Sequence, residues 1–293
     1  MSSAEPTPFF RRIVTVDGSA SSRPVHGVDS IWVGMVDDGV QSAPVNLSTR
    51  HELRELLIDL ACGPGRTLIA VDWSLGYPAG TAGSFGLDGA DPHSAMWGHL
   101  RRSIIDAGDN ANNRFDVAGA LNRRTGTPGP FWGAPRSAAN IWLTSTKQPF
   151  AVVEEWRLAE ARVRSTSRWV SSCWQLGGAG AVGGQSLVGI ALLAVLLDHL
   201  RPRQIAVWPF DTGLSAPSAE VELVVAEMWP SLFLTADDLI TFNVRDAGQV
   251  ERMAQLLHAA DLDGRLERWW APDVPADDLA RVTGEEGWIL GVP

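Results

Sequence analysis

Cysteine is almost missing from this 293-residue chain: Cys62 and Cys173 stand far apart and give neither a disulfide framework nor a metal-ligand cluster. Six histidines show no ligand spacing either. No apolar run approaches the ~20 residues that cross a bilayer. The longest, Leu187 to Leu197, reads as a buried helix. The opening residues, MSSAEPTPFFRR, lack the basic start and apolar stretch of a secretory signal, so a reduced, cytoplasmic protein with no membrane partner is expected. A basic excess is absent as well. Net charge is −10, and from Asp211 onward acids outnumber Lys and Arg 16 to 5. Proteins that wrap nucleic acid draw most of that affinity from phosphate contacts. A polyanionic partner must therefore meet a local basic patch or arrive with metal ions.

What is present is globular. Hydrophobic residues make up 45% of the chain and charged residues 20%, which excludes wholesale disorder. No repeat or linker divides it, so residues 1–293 read as one elaborated domain. Arg12 to Asp17 is a β-branched run that stops at an acid and a turn. Asp29 to Val36 predicts a second strand, Asp37-Asp38-Gly39 a hairpin turn, and Pro44 to Leu47 a short third strand. Thr49 is placed as the N-cap of a helix over 52–60, which Gly63-Pro64-Gly65 ends. Arg66 to Asp72 is apolar without alternation, the mark of a buried strand, and also ends at an aspartate. Residues 79–150 turn to Gly, Pro, Asn, Arg and Trp and read as an insertion or lid. Helices are expected from Phe150 through Arg164, over 186–200 and over 246–260. Strands are expected at 204–208 and 220–227, and the 285–291 tail is too short to classify. This order predicts an α/β fold: a mixed sheet covered by helices.

The informative pattern is acids at strand ends. Asp17, Asp72, Asp211 and Glu227 each close an apolar run, and Asp246 falls where the last long helix should begin. In open α/β sheets the ligand crevice lies at strand ends. Carboxylates gathered there repel one another unless a divalent cation neutralises them. Mg²⁺ is held by one or two carboxylates plus phosphate oxygens, so such a cluster suits phosphoryl chemistry. The plain alternative is that each acid merely caps its loop.

Asp17-Gly-Ser-Ala-Ser-Ser, Val71-Asp-Trp-Ser-Leu-Gly-Tyr-Pro78 and Ala226-Glu-Met-Trp-Pro-Ser231 resemble the signatures of an RNase H-like family, the domain of unknown function family 429. Arg157-Leu-Ala-Glu160, the Trp174 to Gly183 run, Trp208-Pro-Phe-Asp211 and Glu286-Gly-Trp-Ile289 resemble further blocks of it. The resemblance implies a five-stranded mixed sheet with helices on both faces, and a nuclease-like hydrolase. It implies catalytic Asp17, Asp72 and Asp246, which with Glu227 as a fourth ligand would hold Mg²⁺ or Mn²⁺. The late-helix run Asp246-Ala-Gly-Gln249 keeps only the first acid of the pattern D-A-L-D-A.

Other segments are candidates for substrate contact. Ser19 follows the first acid. Arg157 and Arg164, with Arg162 and Arg168, could offer a basic edge to a phosphate, or pair with Glu160 as a solvated face. Gly178-Ala-Gly-Ala-Val-Gly183 matches a dinucleotide fingerprint literally, but no acid closes a strand ~20 residues on. Gly180 could still present backbone N–H groups to an anion, with close helix packing as the plainer explanation. In the insertion, six arginines lie beside Trp97, Trp132 and Trp142, a mixture that can stack bases. Ser19, Ser21 and Ser22 have no nucleophile-elbow context, which argues against a serine hydrolase.

The leading expectation is a metal-dependent phosphoesterase acting on a phosphate-containing substrate, either single-stranded nucleic acid or a small metabolite. A phosphotransferase of the actin/hexokinase kind is the second, with Asp17-Gly18-Ser19 and the stretch near Phe210-Asp211-Thr-Gly213 on the phosphates. A non-enzymatic RNase H-like scaffold is the third.

Overall fold

The computed structural model describes residues 8–178 and 180–293. β1 (Arg12–Asp17) has every residue but the last buried, as its unbroken β-branched run requires. β2 (Ile31–Asp37) pairs antiparallel with β1, and β3 (Val40–Leu47) pairs antiparallel with β2. Asp38 and Gly39 join β2 to β3, both at positive φ, the backbone a two-residue hairpin turn needs. α1 (Arg50–Cys62) starts in a capping box: Thr49 accepts the Glu52 N–H while the Glu52 carboxylate accepts the Thr49 N–H. The chain then returns as β4 (Thr67–Val71), parallel to β1.

The stretch read as an aperiodic insertion holds three helices: α2 (Thr81–Ser84), α3 (Pro92–Ser103) and α4 (Arg114–Thr125). Their short lengths and the Gly and Pro between them hide the helical period. Locally the signals are ordinary: Asp91 accepts the Ser94 N–H, and Pro92 occupies the first turn of α3. The segment is built into the core, for Met96, Trp97, Leu100, Leu121 and Phe131 are all buried. The helix expected from Phe150 begins only at Leu158, as α5 (Leu158–Ser165). Residues before it run irregularly, with the Glu154 carbonyl accepting the Trp174 indole N–H at 3.1 Å.

α6 (Gly183–His199) packs on α3. β5 (Ile205–Val207) and β6 (Leu223–Glu227) then add two parallel strands. After the short α7 (Ala236–Leu239), α8 (Arg245–Leu262) crosses the strands β1 and β2. The finished sheet is mixed and six-stranded, in the order β3-β2-β1-β4-β6-β5.

Alternate strand residues feed two cores. Val14, Val16, Ile69, Val71 and Val225 pack with α1, α3 and α6 on one face. Ile13, Leu68, Ala70, Val224 and Ala226 pack with Met253 and Leu257 of α8 and with Trp208, Trp270 and Trp288 on the other. Each valine, leucine or isoleucine among them contributes about 1.5–3 kcal/mol by leaving water. Together they fix which strand ends meet.

Candidate active site at the carboxyl end of the sheet

β1 and β4 run parallel with Val16 opposite Val71, and the Asp72 N–H donates to the Val16 carbonyl at 2.9 Å. That last ladder bond brings Asp17 and Asp72 to adjacent strand ends. Asp17 lies two residues beyond Thr15, whose hydroxyl donates to the Val250 carbonyl of α8 at 2.6 Å. Alternation therefore puts Asp17 on the α8 face. Asp246, in the first turn of α8, accepts the Asp29 N–H through Oδ2 at 3.1 Å. Asp29 itself leads into β2, whose start lies beside the end of β1 because the two strands are antiparallel.

These residues border a cleft of about 790 Å³, lined by Asp17, Asp29 and Asp72 together with Trp73, Trp169, Gly180, Gln185, Glu227 and Arg245, among others. A neighbouring hollow of about 480 Å³ shares Asp17, Asp29 and Gln185 with it and adds Ser19, Arg114 and Asp246. Trp73 is clamped where it leaves β4. A Cβ on Gly189 of α6 would lie 2.5 Å from its indole, so only glycine permits that approach.

Burial, joined by the charges of Asp72, Asp246 and Asp29, pushes the Asp17 carboxyl well above the usual range. Asp72 is pushed up to about 7 by burial, then by Glu227 and Asp246. Asp246 is raised by burial too, partly offset by its bond from Asp29. Among the described residues, no hydrogen bond or cation offsets the rise at Asp17 or Asp72. Neighbouring carboxylates in such a setting resist joint ionisation, and a bound cation relieves that cost.

Glu227 differs. It ends β6 opposite Val71, one register step short of Asp72. Arg157 grips both its oxygens, Nη2 to Oε1 at 2.6 Å and Nη1 to Oε2 at 2.8 Å, and the Leu75 N–H adds a third bond at 3.1 Å. The same guanidinium binds Glu160 at 2.9 Å and the Glu286 carbonyl at 3.0 Å. Glu286 accepts from Leu158 N–H, Ala79 N–H and Arg281, while Glu285 accepts from Gly80 and Ala82 N–H. Gly76 passes between them; its Cβ would meet the Glu285 and Glu286 carbonyls at 2.4 Å. The whole clamp fixes the loop that follows Asp72.

This geometry sorts the residues singled out in the sequence. Asp17, Asp72 and Asp246 come within one another's electrostatic reach. Glu227, the fourth metal ligand the resemblance implies, lines the cleft but has both oxygens engaged by Arg157 and the Leu75 N–H. Arg157 is fully buried, so it cannot receive a substrate phosphate. Arg164 is exposed, stacks on Trp156 with its guanidinium 4.2 Å from the ring centroid, and does not line the cleft. The Ser19 hydroxyl donates to the Asp29 carbonyl at 3.0 Å and shapes the loop. Gly180 forms part of the cleft wall, at φ +70°. Gly183 serves close packing, for a Cβ there would lie 2.4 Å from the Cys173 carbonyl. In the insertion, Trp97 is buried and donates to the Leu75 carbonyl at 2.8 Å, and only Arg114 reaches the hollow beside the acids. Asp211 closes its own loop by accepting the Val207 N–H at 2.7 Å, Phe210 stacks on His93, and the 210–213 stretch lines neither space.

The sequence reading passed over Asp29, Trp169, Trp229 and Arg245, all on the cleft wall. Asp29 had one available signal. The predicted hairpin places the start of β2 against the end of β1, which carries any acid just before β2 to the site.

Among the described residues, no group of three or more His, Cys, Asp or Glu side chains is disposed to hold a metal ion by itself. Asp17 and Asp72 supply two carboxylates, the number with which Mg²⁺ is commonly held while water and substrate oxygens complete its shell. Their donor chemistry and unbalanced charge fit such an ion. Compared with protein-family models, curated proteins and solved structures, the chain matches none.

Proposed function

We propose that this chain is a Mg²⁺- or Mn²⁺-dependent phosphoesterase of RNase H-like architecture, acting on a phosphate-containing substrate in the 790 Å³ cleft. One observation carries the reading: Asp17 and Asp72 end two paired parallel strands side by side, half-buried, and among the described residues no cation pairs with either carboxylate. A mixed sheet with helices on both faces and acids closing β1 and β4 supports this reading, although the sheet has six strands where the resemblance implies five.

In this reading Asp17 and Asp72 hold the ion, which when bound neutralises charge on a phosphoryl group and polarises it. Asp246 and Asp29 add negative potential at the rim and are tied to each other through the Asp29 N–H. Gln185 donates to the Gly18 carbonyl at 2.6 Å, fixing the start of α6 beside Asp17. The Arg157–Glu227 clamp sets the path of the chain after Asp72, so that carboxylate is positioned before any ligand arrives.

The test is cleavage of a generic phosphodiester and of an end-labelled single-stranded oligonucleotide with Mn²⁺. Turnover should need the ion and fall by about two orders of magnitude or more in Asp17→Asn and Asp72→Asn, with unfolding transitions preserved. Activity that survives Asp17→Asn contradicts the proposal. The phosphotransferase alternative is disfavoured because the 210–213 stretch it needs lies off the cleft.

A further inference from the structure

Packing does not account for Trp169. It is 86% exposed, whereas tryptophans elsewhere in the chain, such as Trp73, Trp174, Trp208 and Trp288, are buried. It also lines the cleft that contains Asp17 and Asp72. The chain on either side of Trp169 is tied to the protein. Arg168 before it donates to the carbonyls of Ser231 and Leu232, both at 3.2 Å, and Val170 after it is buried in the second core. Among the described residues no aromatic ring or cation stacks on it. An indole in water beside a cleft of acids is a hydrophobic surface awaiting a flat partner.

We infer that Trp169 is a stacking platform for a nucleobase, which makes the substrate of the proposed phosphoesterase a single-stranded nucleic acid; this rests on the reading of Asp17 and Asp72 given above. Every base offers a π-face, so stacking tolerates any sequence, but in a duplex those faces are already covered. A cleft of about 790 Å³ is of the size that encloses a small organic ligand, which suits one or two nucleotides better than a helix. Arg245 lines the same cleft and gives a phosphate one cationic contact. Arg245 is the one Lys or Arg among the described residues that line this cleft. Binding must therefore draw on stacking and on the ion more than on basic side chains, and its salt dependence should be shallow.

The experiment measures binding of a short fluorescent oligothymidylate, and of an abasic strand of equal length, with Ca²⁺ as a cation that does not support turnover. The protein should bind oligothymidylate about tenfold or more tighter than the abasic strand. Trp169→Ala should erase that difference while leaving abasic binding unchanged, and Trp169→Phe should restore most of it. Equal binding of the two strands by the native chain overturns the inference, as does a Trp169→Ala loss that falls equally on both. Calorimetric Mn²⁺ titration of the same proteins keeps the two ideas apart. Mn²⁺ uptake without base-dependent binding removes the stacking platform and leaves the hydrolase reading. Base-dependent binding without Mn²⁺ uptake does the reverse, and the absence of both removes both.

Discussion

Two sets of acids meet at the carboxyl end of one sheet, and they are treated in opposite ways. Glu160, Glu227 and Glu286 are buried and bonded to Arg157, to Arg281 and to backbone N–H groups, although burial still leaves the Glu160 carboxyl raised. Asp17 and Asp72, at the ends of the neighbouring strands β1 and β4, have no such partners among the described residues, and their carboxyls are raised. Desolvation alone would penalise both sets alike. The chain supplies counter-charge to one and withholds it from the other. The matched set is architecture; the unmatched set is where a ligand's charge can lower the free energy most.

This contrast can be broken from either side. The largest effect is expected from Arg157→Met, which strands Glu160 and Glu227 in the interior without a partner. A loss of about 3–5 kcal/mol is expected in urea unfolding. A loss below ~1 kcal/mol would mean that the clamp is not what holds this corner together.

Removing charge from the other set should act in the opposite direction. In the folded protein Asp72 titrates near 7, against about 4 in an unfolded chain. The folded state therefore binds the extra proton between those values. The stability that proton confers is complete below about pH 4 and is lost as pH rises through about 7. Asp72→Asn abolishes that dependence, so the metal-free variant should be more stable than the parent at pH 8, by about 1–3 kcal/mol after allowance for relaxation around the site. Parallel stability–pH curves for the two proteins would contradict it.

The smallest effect is expected at Asp246, which is half-buried on the rim. Asp246→Asn should change metal-free stability by no more than ~0.5 kcal/mol, while weakening Mn²⁺ uptake several-fold by calorimetry through lost negative potential. A destabilisation as large as that of Arg157→Met would place Asp246 with the clamp instead.

Much of the scaffold is legible in the sequence because its strands are long apolar runs closed by acids, as at Val16-Asp17 and Val71-Asp72. The pairing of those two ends follows from the same pattern. What the sequence conceals depends on register and side-chain path. Glu227 looks like Asp17 and Asp72 in the chain, yet it stops one step short and faces an arginine. That arginine, Arg157, sits within a stretch whose periodicity suggests a solvated helix, whereas it is the extended residue that caps α5. The insertion hides its helices because each is short and bounded by Gly or Pro. Trp169 lies in an aperiodic stretch where nothing local separates an exposed tryptophan from the buried Trp174 five residues on.

Whether Asp17 and Asp72 await a cation is decided by Mn²⁺ titration in the calorimeter at pH 8, on the native chain and on Asp17→Asn. The native chain should take up Mn²⁺ saturably, with proton release, and the variant should lose that uptake. Uptake that persists unchanged in Asp17→Asn, or no uptake by the native chain, would contradict the proposed cation site.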